Sequence, residues 1–314
     1  MSKKRRRILL LTSLILVLSI FLNLSFGVAE LTPVILKYVR LPRTLACIFA
    51  GAGQAVSGSV IQNVLSNKLA SPGIIGVNAG AGFAVTVCCA SGVLSGWAIA
   101  GSAFTGAVLA VLLVVGVAQK MNASRTTVIL GGVAINSFLN AGSEAIITLF
   151  PDVGAVSGDF RVGGFASVTT ARLIPAIVLI SIGLMIVFSL ANELDVMCLG
   201  EETAQGLGLP VKMTRTILLV TAALLAGASV SFAGLLGFVG LIVPHIVRKL
   251  VGSESHHVLP MCAIGGASIV ALCDFVSRMI FQPYEIPVGI IMSFIGGPFF
   301  VFLLLKNKGG HRRD

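Results

Sequence analysis

Residues 43–58 read RTLACIFAGAGQAVSG, and this stretch decides the fold because it begins a long apolar run. After Arg43, no Asp, Glu, Lys or Arg occurs until Lys68. A transmembrane helix needs roughly 20 predominantly apolar residues. Glycine, alanine and serine, which are frequent here, let neighbouring helices approach closely where no hydrophobic force drives them together. The stretch therefore predicts a transmembrane helix.

The overall composition extends this interpretation to the whole chain. Apolar residues make up 56% of the 314 residues, charged residues only 11%, and the mean hydropathy is +1.02. Soluble domains carry about a quarter charged residues. The polar stretches reach only about 20 residues, which is too short for an independent soluble core. We therefore expect a single transmembrane domain over residues 1–314 and no separate soluble domain.

Ten stretches are long and apolar enough to cross a bilayer, which predicts an all-α polytopic membrane protein. The first could be a secretory signal peptide, but its length and the polytopic chain after it favour an uncleaved helix. The ten predicted spans lie near residues 8–28, 43–65, 74–92, 97–118, 127–149, 172–191, 216–233, 235–250, 258–280 and 287–305.

Positive charge predicts the orientation of these spans. Basic residues cluster at the start, in residues 1–7, and in the tail, residues 306–314. Such clusters beside apolar spans are orientation signals and lipid-headgroup contacts, so the net charge of +10 does not indicate nucleic-acid binding. With both termini in the cytoplasm, 16 of the 22 Lys and Arg residues fall on the cytoplasmic side. This excess predicts cytoplasmic N- and C-termini.

A charged segment, residues 193–215, separates the sixth and seventh predicted spans. Each charge placed at mid-bilayer would cost about 2.5–3.5 kcal/mol, so this segment must lie outside the hydrocarbon. Residues 200–215 predict two short helices joined by a tight turn. Glu201 and Glu202 suit a helix start, and Gly206 and Gly208 suit its end. Pro210 suits the first position of the next helix.

An internal similarity links two of the spans. The stretch from Arg43 matches RTILLVTAALLAGASVSFAG, which runs from Arg215, with an offset of one turn. The two spans would enter the membrane from opposite sides, as inverted-topology repeats do. Ion-coupled secondary transporters are also built this way, which leaves that class as an alternative. It is the less favoured one, because only Glu144 lies clearly inside a span.

Four separated stretches together resemble one family. They are residues 40–82, GEETAQGLGLPV (200–211), GLLGFVGLIVPHIVRKLVG (234–252) and EIPVGIIMSFIGGPFFVFLL (285–304). They are similar to the FecCD-family permease subunits of type II ABC importers for iron–siderophore complexes, heme and cobalamin. The resemblance implies an inverted-repeat fold with ten helices and a dimer with a second permease copy or with a homologous permease. It also implies two cytoplasmic ATPase subunits and an extracytoplasmic substrate-binding protein, in the cytoplasmic membrane of a prokaryote.

The resemblance also implies three functional sites. Coupling to the ATPase is expected at Gly200, Glu201, Glu202, Ala204, Gly206, Leu207, Gly208 and Pro210. Docking of the binding protein is expected at Arg40, Arg43 and Arg278. Arg278 could also pair with Asp274 one turn earlier, and Arg40 and Arg43 could instead extend toward lipid headgroups. Pathway or gate candidates are Asn67, Pro72, Gly76, Asn122, Ser124, Thr126, Asn136, Asn140 and Glu144.

Catalytic and metal-binding motifs are missing from the sequence. No GxxxxGK[ST] phosphate loop occurs, and the dipeptide Gly-Lys is absent, so ATP and magnesium are expected on a partner ATPase. The cysteines and histidines show no metal-ligand spacing, and no cluster with nucleophile spacing indicates an enzyme. We expect a permease with no cofactor of its own. Its first-choice cargo is an iron–siderophore complex, with heme or cobalamin as alternatives.

One stretch departs from the family pattern. Residues 158–167 read GDFRVGGFAS where relatives often carry a tryptophan before a glycine-rich turn. Phe160 stands in place of that aromatic residue, and Arg161 adds a charge. Because this outer region is expected to contribute to the docking surface and the pathway mouth, the identity of the cargo is left open.

Overall fold

The computed structural model describes residues 3–27, 30–120 and 125–308, and all regular secondary structure in these ranges is helical. Thirteen helices occur there, counting Pro33–Val64, which contains a π-helical turn at Leu36–Arg40, as one. In chain order they are α1 Lys3–Ser25, α2 Pro33–Val64, α3 Val77–Ala90, α4 Gly96–Lys120, α5 Arg125–Leu149, α6 Pro151–Val162, α7 Thr170–Ser189, α8 Ala191–Met197, α9 Glu201–Gly206, α10 Val211–Ala233, α11 Val239–Val251, α12 Ser255–Met279 and α13 Val288–Lys308.

Every one of the ten predicted spans coincides with a helix, so the all-α polytopic prediction is confirmed. Six of these helices, α1, α2, α4, α7, α10 and α12, are long and apolar enough to cross a membrane. Helices α3 and α11 have only 14 and 13 residues. Each follows a non-helical segment, 65–76 or 234–238, that contributes buried side chains to the bundle. Irregular backbone is tolerated at membrane depth when protein covers it in this way.

Helix α2 begins ten residues before the predicted start of its span. Thr32 caps it by accepting a hydrogen bond from the Ile35 amide at 3.2 Å, and Pro33 occupies the first position. These are strong helix-start signals that lie outside the apolar window. Arg40 and Arg43 were expected at the outer start of the span, but the early start places both inside the helix.

Helix α2 is the centre of the bundle, because most of its length is buried against α10, α11 and α12. A Cβ atom added to Gly51 would lie 2.2 Å from the carbonyl oxygen of Gly266 on α12. One added to Gly58 would lie 1.9 Å from the Gly240 oxygen on α11. The backbones therefore touch at both points, which only glycine permits.

The two similar stretches, α2 and α10, run antiparallel and pack directly against each other. Ser57, in the C-terminal part of α2, donates a hydrogen bond to the Ala222 carbonyl oxygen in the middle of α10 at 2.7 Å. A Cβ atom on Gly53 would meet the Ser229 hydroxyl at 2.6 Å. The matched Gly/Ala/Ser segments thus form the contact between the two inverted elements.

Two short helices, α6 and α8, were not predicted from the sequence. Helix α6 starts with Pro151 and ends at Gly163, whose φ of 78° suits glycine. Helix α8 precedes the predicted coupling residues. Both are too short to be recognised as spans, because a search for 20-residue apolar windows cannot detect them.

The structure also corrects the prediction for residues 200–215. A single short helix, α9, occurs there, and the second predicted short helix is the beginning of the long α10. Pro210 is the N-cap of α10 rather than its first residue. The polar start of α10 concealed its continuity with the apolar span that follows.

The glycine contact between α2 and α12 generates a stability prediction. Gly51→Ala should lower the free energy of unfolding by about 1–3 kcal/mol, because the added methyl group collides with the backbone of α12. Gly101→Ala on α4 is the matched control, since an added Cβ there meets nothing within 4 Å. Thermal unfolding in one detergent measures both variants. Equal midpoints would contradict the proposed tight packing.

Candidate coupling, docking and pathway sites

The predicted coupling residues form a compact unit around α9. Gly200 and Gly208 bound the helix with φ values of 107° and 85°, which favour glycine. Arg215 on α10 donates a hydrogen bond to the Glu201 carboxylate, and the side chain of Ala204 is fully buried. These contacts hold α9 against the first turns of α10, so the unit cannot move independently of that helix.

The surface of this unit combines charge with exposed apolar side chains. Leu199, Leu207 and Met213 are each more than 60% exposed, and Glu202 is exposed beside them. Isolated apolar residues on a surface need no explanation, but a cluster at the charged end of a membrane protein is typical of a protein contact. Leu207 and Glu202 were predicted as coupling residues, whereas Leu199 and Met213 were not.

Helix α8 joins the predicted coupling unit, residues 199–215 with α9 and the first turn of α10, to α12. The two carboxylate oxygens of Asp195 accept hydrogen bonds from the Ser255 amide, both at 3.0 Å, and Oδ1 also accepts one from the Ser255 hydroxyl at 2.5 Å. His256 Nε2 lies 2.8 Å from Asn192 Oδ1. Asp195 therefore caps the N-terminus of α12 from a different helix.

At the opposite end of the bundle lies Asp274, which is completely buried and binds two of the three predicted docking arginines, Arg43 and Arg278. Arg43 donates from Nε to both Asp274 oxygens, at 3.0 and 3.1 Å, and from Nη1 to Glu285 Oε2 at 2.8 Å. Arg278 Nε lies 3.3 Å from Asp274 Oδ2, an ion-pair distance without hydrogen-bond geometry. The local pairing of Arg278 with Asp274 is therefore present.

Arg40 and Arg278 also satisfy the C-terminal end of α1. Arg40 Nη1 donates to the Leu24 carbonyl oxygen at 2.8 Å, and Arg278 Nη1 donates to the Phe26 oxygen at 3.3 Å. Arg278 Nη2 donates to Asn23 Oδ1 at 2.5 Å. Unpaired carbonyl groups and the negative end of a helix dipole both favour cations at this position. The cluster thus attaches α1 to α2 and α12.

In this conformation, the three arginine side chains expose little surface that a partner could contact. Arg40 and Arg278 are each only 5% exposed, and the Arg43 side chain is 12% exposed. Tyr38 and Tyr284 are exposed, and the Glu285 side chain is 35% exposed. This rim is therefore more accessible than the three arginines, which could contact a partner only after side chains move.

The segment between α2 and α3 carries three of the predicted pathway residues. Asn67 Oδ1 accepts a hydrogen bond from the Leu69 amide at 2.9 Å, which shapes the turn. Gly76 has a φ of 102° and forms the N-cap of α3. A Cβ atom on Gly240 would lie 3.0 Å from Pro72 Cδ, so Pro72 packs against the start of α11.

Asn136 on α5 holds this segment in place. Its Nδ2 donates to the carbonyl oxygens of Gly73 and Ile74, at 2.8 and 3.2 Å. A Cβ atom on Gly132 would lie 2.3 Å from the Ile74 oxygen, so the segment packs directly on the α5 backbone. The predicted gate segment, residues 65–76, is therefore in contact with α5, which is the fifth predicted span.

The polar side chains at positions 136, 140, 143 and 144 of α5 lie in two environments. Asn136 and Ser143 face the bundle, whereas Asn140 and Glu144 are exposed. Glu144 was expected to be buried, but its side chain is 60% exposed and pairs with Arg161 of α6 at 2.5 Å. The four positions span about 100° of the helix surface, wide enough to cross the edge of the packed face. Among the other gate candidates, Thr126 is exposed, and Asn122 and Ser124 lie outside the described residues.

A cavity of about 550 Å³ lies between α3, α6 and α13. Polar side chains reach it from three elements, Asn78, Arg161 and Ser293, and Phe294 and Pro298 supply part of its apolar wall. Asn78, Ser293 and Phe294 were not predicted. Asn78 follows the gate segment directly and could have been found by that position, but Ser293 carries no distinguishing pattern in the sequence.

Phe238, beside this cavity, has an unusual backbone conformation. Its φ is 63°, a left-handed value that a bulky residue rarely adopts. A Cβ atom on Gly296 of α13 would lie 2.1 Å from the Phe238 ring, so the ring packs directly on that glycine. The strained turn therefore directs Phe238 against α13, next to the cavity.

Metal coordination has no candidate among the residues that the structure describes, because no group of three or more His, Cys, Asp or Glu side chains comes together there. His245 instead stacks edge-on against Phe299 at 5.9 Å. The fold and these sites together define a polytopic membrane protein of the transporter class.

Comparison with known proteins gives the family. The model of the FecCD transport family matches residues 7–306. The Fe(3+)-citrate import system permease protein YfmD of Bacillus subtilis (strain 168) is 36% identical, over 98% of this chain and 97% of the relative. The vitamin B12 import system permease protein BtuC of Citrobacter koseri is 33% identical, over 98% and 97%. The chain belongs to the FecCD transport family.

Solved structures agree with this assignment. A metal-chelate type ABC transporter in an inward-facing conformation superposes with a TM-score of 0.87 at 29% identity, covering 96% of this chain and 99% of the solved one. PsaBC from Streptococcus pneumoniae superposes with a TM-score of 0.60 at 15% identity, over 86% of this chain and 92% of the solved one. The second similarity shows the fold alone.

The buried arginine cluster generates a prediction about stability. Asp274→Ala should lower the free energy of unfolding by about 3–5 kcal/mol, because it leaves the buried charges of Arg43 and Arg278 without their shared partner. Glu144→Ala is the matched control and should cost at most about 1 kcal/mol, since its pair with Arg161 is exposed. Unfolding midpoints in detergent distinguish the two. A similar small loss in both variants would show that Asp274 is not needed to balance the arginines.

Proposed function

We propose that this chain is the membrane permease subunit of an ATP-driven importer in the cytoplasmic membrane of a prokaryote. The observation that carries the proposal is the match of nearly the whole chain to relatives named as permeases of import systems. The chain also lacks a phosphate-binding loop, so its energy would come from a separate ATPase. In this proposal the whole of residues 1–314 is one permease domain.

The partners follow from the distribution of the sites. An ATPase dimer would contact α9 and its exposed apolar neighbours, Leu207 and Met213. A binding protein would dock at the opposite end, on the rim around Arg43. A second permease copy would cover the exposed apolar side chains of α5 and α13, such as Phe138 and Phe294, each more than 75% exposed. The remaining apolar surface would face lipid.

The mechanism uses the rigidity of the coupling unit. ATP binding would draw the ATPase subunits together and displace α9, and the contact of Glu201 with Arg215 would transfer this movement to α10. Helix α10 packs against α2, whose C-terminal end lies on the side of the coupling unit and continues into the gate segment 65–76. The cargo would then pass between two copies of the chain when this segment moves on α5.

The cargo in this proposal is an iron–siderophore complex or a related metal chelate. Support comes from the relative named for Fe(3+)-citrate import and from the solved transporter of metal-chelate type. Heme or cobalamin is the alternative, which the relative named for vitamin B12 import favours. An ion-coupled secondary transporter is less favoured, because the one ionisable side chain predicted within a span, Glu144, is exposed and paired with Arg161.

Replacement of residues 201–215 tests the coupling role. A flexible Gly/Ser linker of equal length should abolish uptake while the chain still inserts, because a flexible segment absorbs the movement of the ATPase. Insertion is measured by surface labelling, and uptake in proteoliposomes that contain the complete complex. The same replacement at residues 91–95, a connection at the opposite end, is the control and should retain uptake. Normal uptake with the 201–215 linker would refute the coupling role.

A panel of cargoes tests the substrate. Cells that depend on this importer should take up iron presented as ferric citrate or ferric hydroxamate. Excess heme or cobalamin should reduce this uptake by less than about twofold, since a shared site would give competition in proportion to occupancy. Uptake of cobalamin or heme without any uptake of ferric chelates would assign the alternative cargo.

A further inference from the structure

Helix α12 connects the two ends of the molecule that the proposed function assigns to different partners. Its first residue, Ser255, is bound by Asp195 of α8, next to the coupling unit. Near its last residues, Asp274 and Arg278 belong to the arginine cluster. Nineteen residues separate Ser255 from Asp274, which corresponds to about 28 Å along a helix.

Helices α2 and α12 are linked at both ends and in the middle. At one end, Asn63 Nδ2 lies 3.4 Å from the Ser255 hydroxyl. In the middle, the backbones touch at Gly51 and Gly266. At the other end, Arg43 of α2 binds Asp274 of α12. Two helices joined at three levels behave as one rigid body, because bending either one would separate packed backbone.

The Asn63 contact extends into a polar cluster on α11. Arg248 donates from Nη2 to Asn63 Oδ1 at 3.0 Å and to the Ser59 carbonyl oxygen at 3.2 Å, and from Nη1 to Gln62 Oε1. Within the described part of the chain, no carboxylate pairs with Arg248. The guanidinium is therefore held by α2 alone, which adds α11 to the same rigid body.

Asp195 is the junction between this rigid body and the coupling unit. Helix α12 begins after Glu254, whose side chain does not cap it, so the carboxylate of Asp195 supplies the cap instead. Both Asp195 oxygens bind Ser255, and an anionic cap is favoured by the positive end of the helix dipole. A displacement of α8 must therefore displace α12 or break these hydrogen bonds.

From this geometry we infer that α2 and α12 form a strut that transmits docking of the binding protein to the ATPase, with Asp195 as its positioning residue. The inference rests on the proposed function. Docking at the arginine cluster moves one end of the strut, and Asp195 passes that movement to α8 and α9. The same connection works in reverse, because coupling between two sites is reciprocal.

The test uses the full complex of permease, ATPase and binding protein in lipid nanodiscs. The readout is the factor by which the loaded binding protein stimulates ATP hydrolysis. Asp195→Ala should reduce this factor about fivefold, because the loss of one helix cap changes an equilibrium constant by about that much. Basal hydrolysis should stay within about twofold of wild type. Asp195→Asn should restore most of the stimulation, because an amide oxygen also caps a helix.

Glu254→Ala is the matched control for this experiment. It removes a carboxylate from the same end of α12, but Glu254 binds Arg5 of α1 at 2.8 Å and not the coupling unit. Its stimulation factor should equal that of wild type. Equal stimulation in Asp195→Ala and Glu254→Ala would overturn the inference. A wild-type complex that hydrolyses no ATP would instead defeat the proposed function, so the two failures are distinct.

A second measurement covers the case in which Asp195→Ala does not assemble. Ser255→Ala removes the hydroxyl that binds Asp195 and lies near Asn63, but it keeps the backbone amide bond to Asp195. The measured quantity is the ratio of the affinities for the binding protein with and without nucleotide. This ratio should be smaller in Ser255→Ala than in wild type, by a factor of about two or more. An unchanged nucleotide effect would contradict a strut that works through Ser255.

Discussion

The contact between glycine backbones on α2, α11 and α12 is the interaction on which the rest of the structure depends. Lipid tails provide no hydrophobic force between helices, so close packing must supply the association. At Gly51 and Gly58, the partner backbone occupies the space of a side chain. Because α2 is held on several sides in this way, the helices around it acquire fixed positions, and the polar groups at both ends are brought together.

Clusters of charged side chains lie at the two ends of the bundle, on either side of its closely packed centre. Arg43 and Arg278 bind one buried carboxylate, Asp274, at one end of the bundle, and Arg40 and Arg278 donate to the carbonyl end of α1, so the cluster replaces water for several groups at once. At the other end, Asp195 performs a similar task for α12. Both clusters join helices that are distant in the chain. An ionic contact at a helix end can therefore be structural.

The proposed coupling unit and the proposed strut would act together as one mechanical connection. The coupling unit around α9 is short, but it is attached to a 23-residue helix, α10, and through α8 to a 25-residue helix, α12. Force applied at the charged end would therefore reach the middle of the bundle through α10 and the far end through α12. The gate segment 65–76 lies between these routes, bound by Asn136 on one side and packed against Gly240 on the other.

The sequence by itself determined the membrane environment, the order of the ten helices that coincide with the predicted spans, and the place of the charged segment 193–215 between two of them. These features depend on apolar length and local charge, which are properties of short windows. The search for apolar windows missed the short helices α6 and α8 and the early start of α2, although Thr32 and Pro33 signal that start in the sequence. The sequence could not reveal the exposure of Glu144. Nor could it reveal that Asp195 caps α12 or that Arg43 binds Asp274. Those contacts join residues 60 and 231 positions apart, so only the tertiary packing, which brings helix ends and backbones together, decided them.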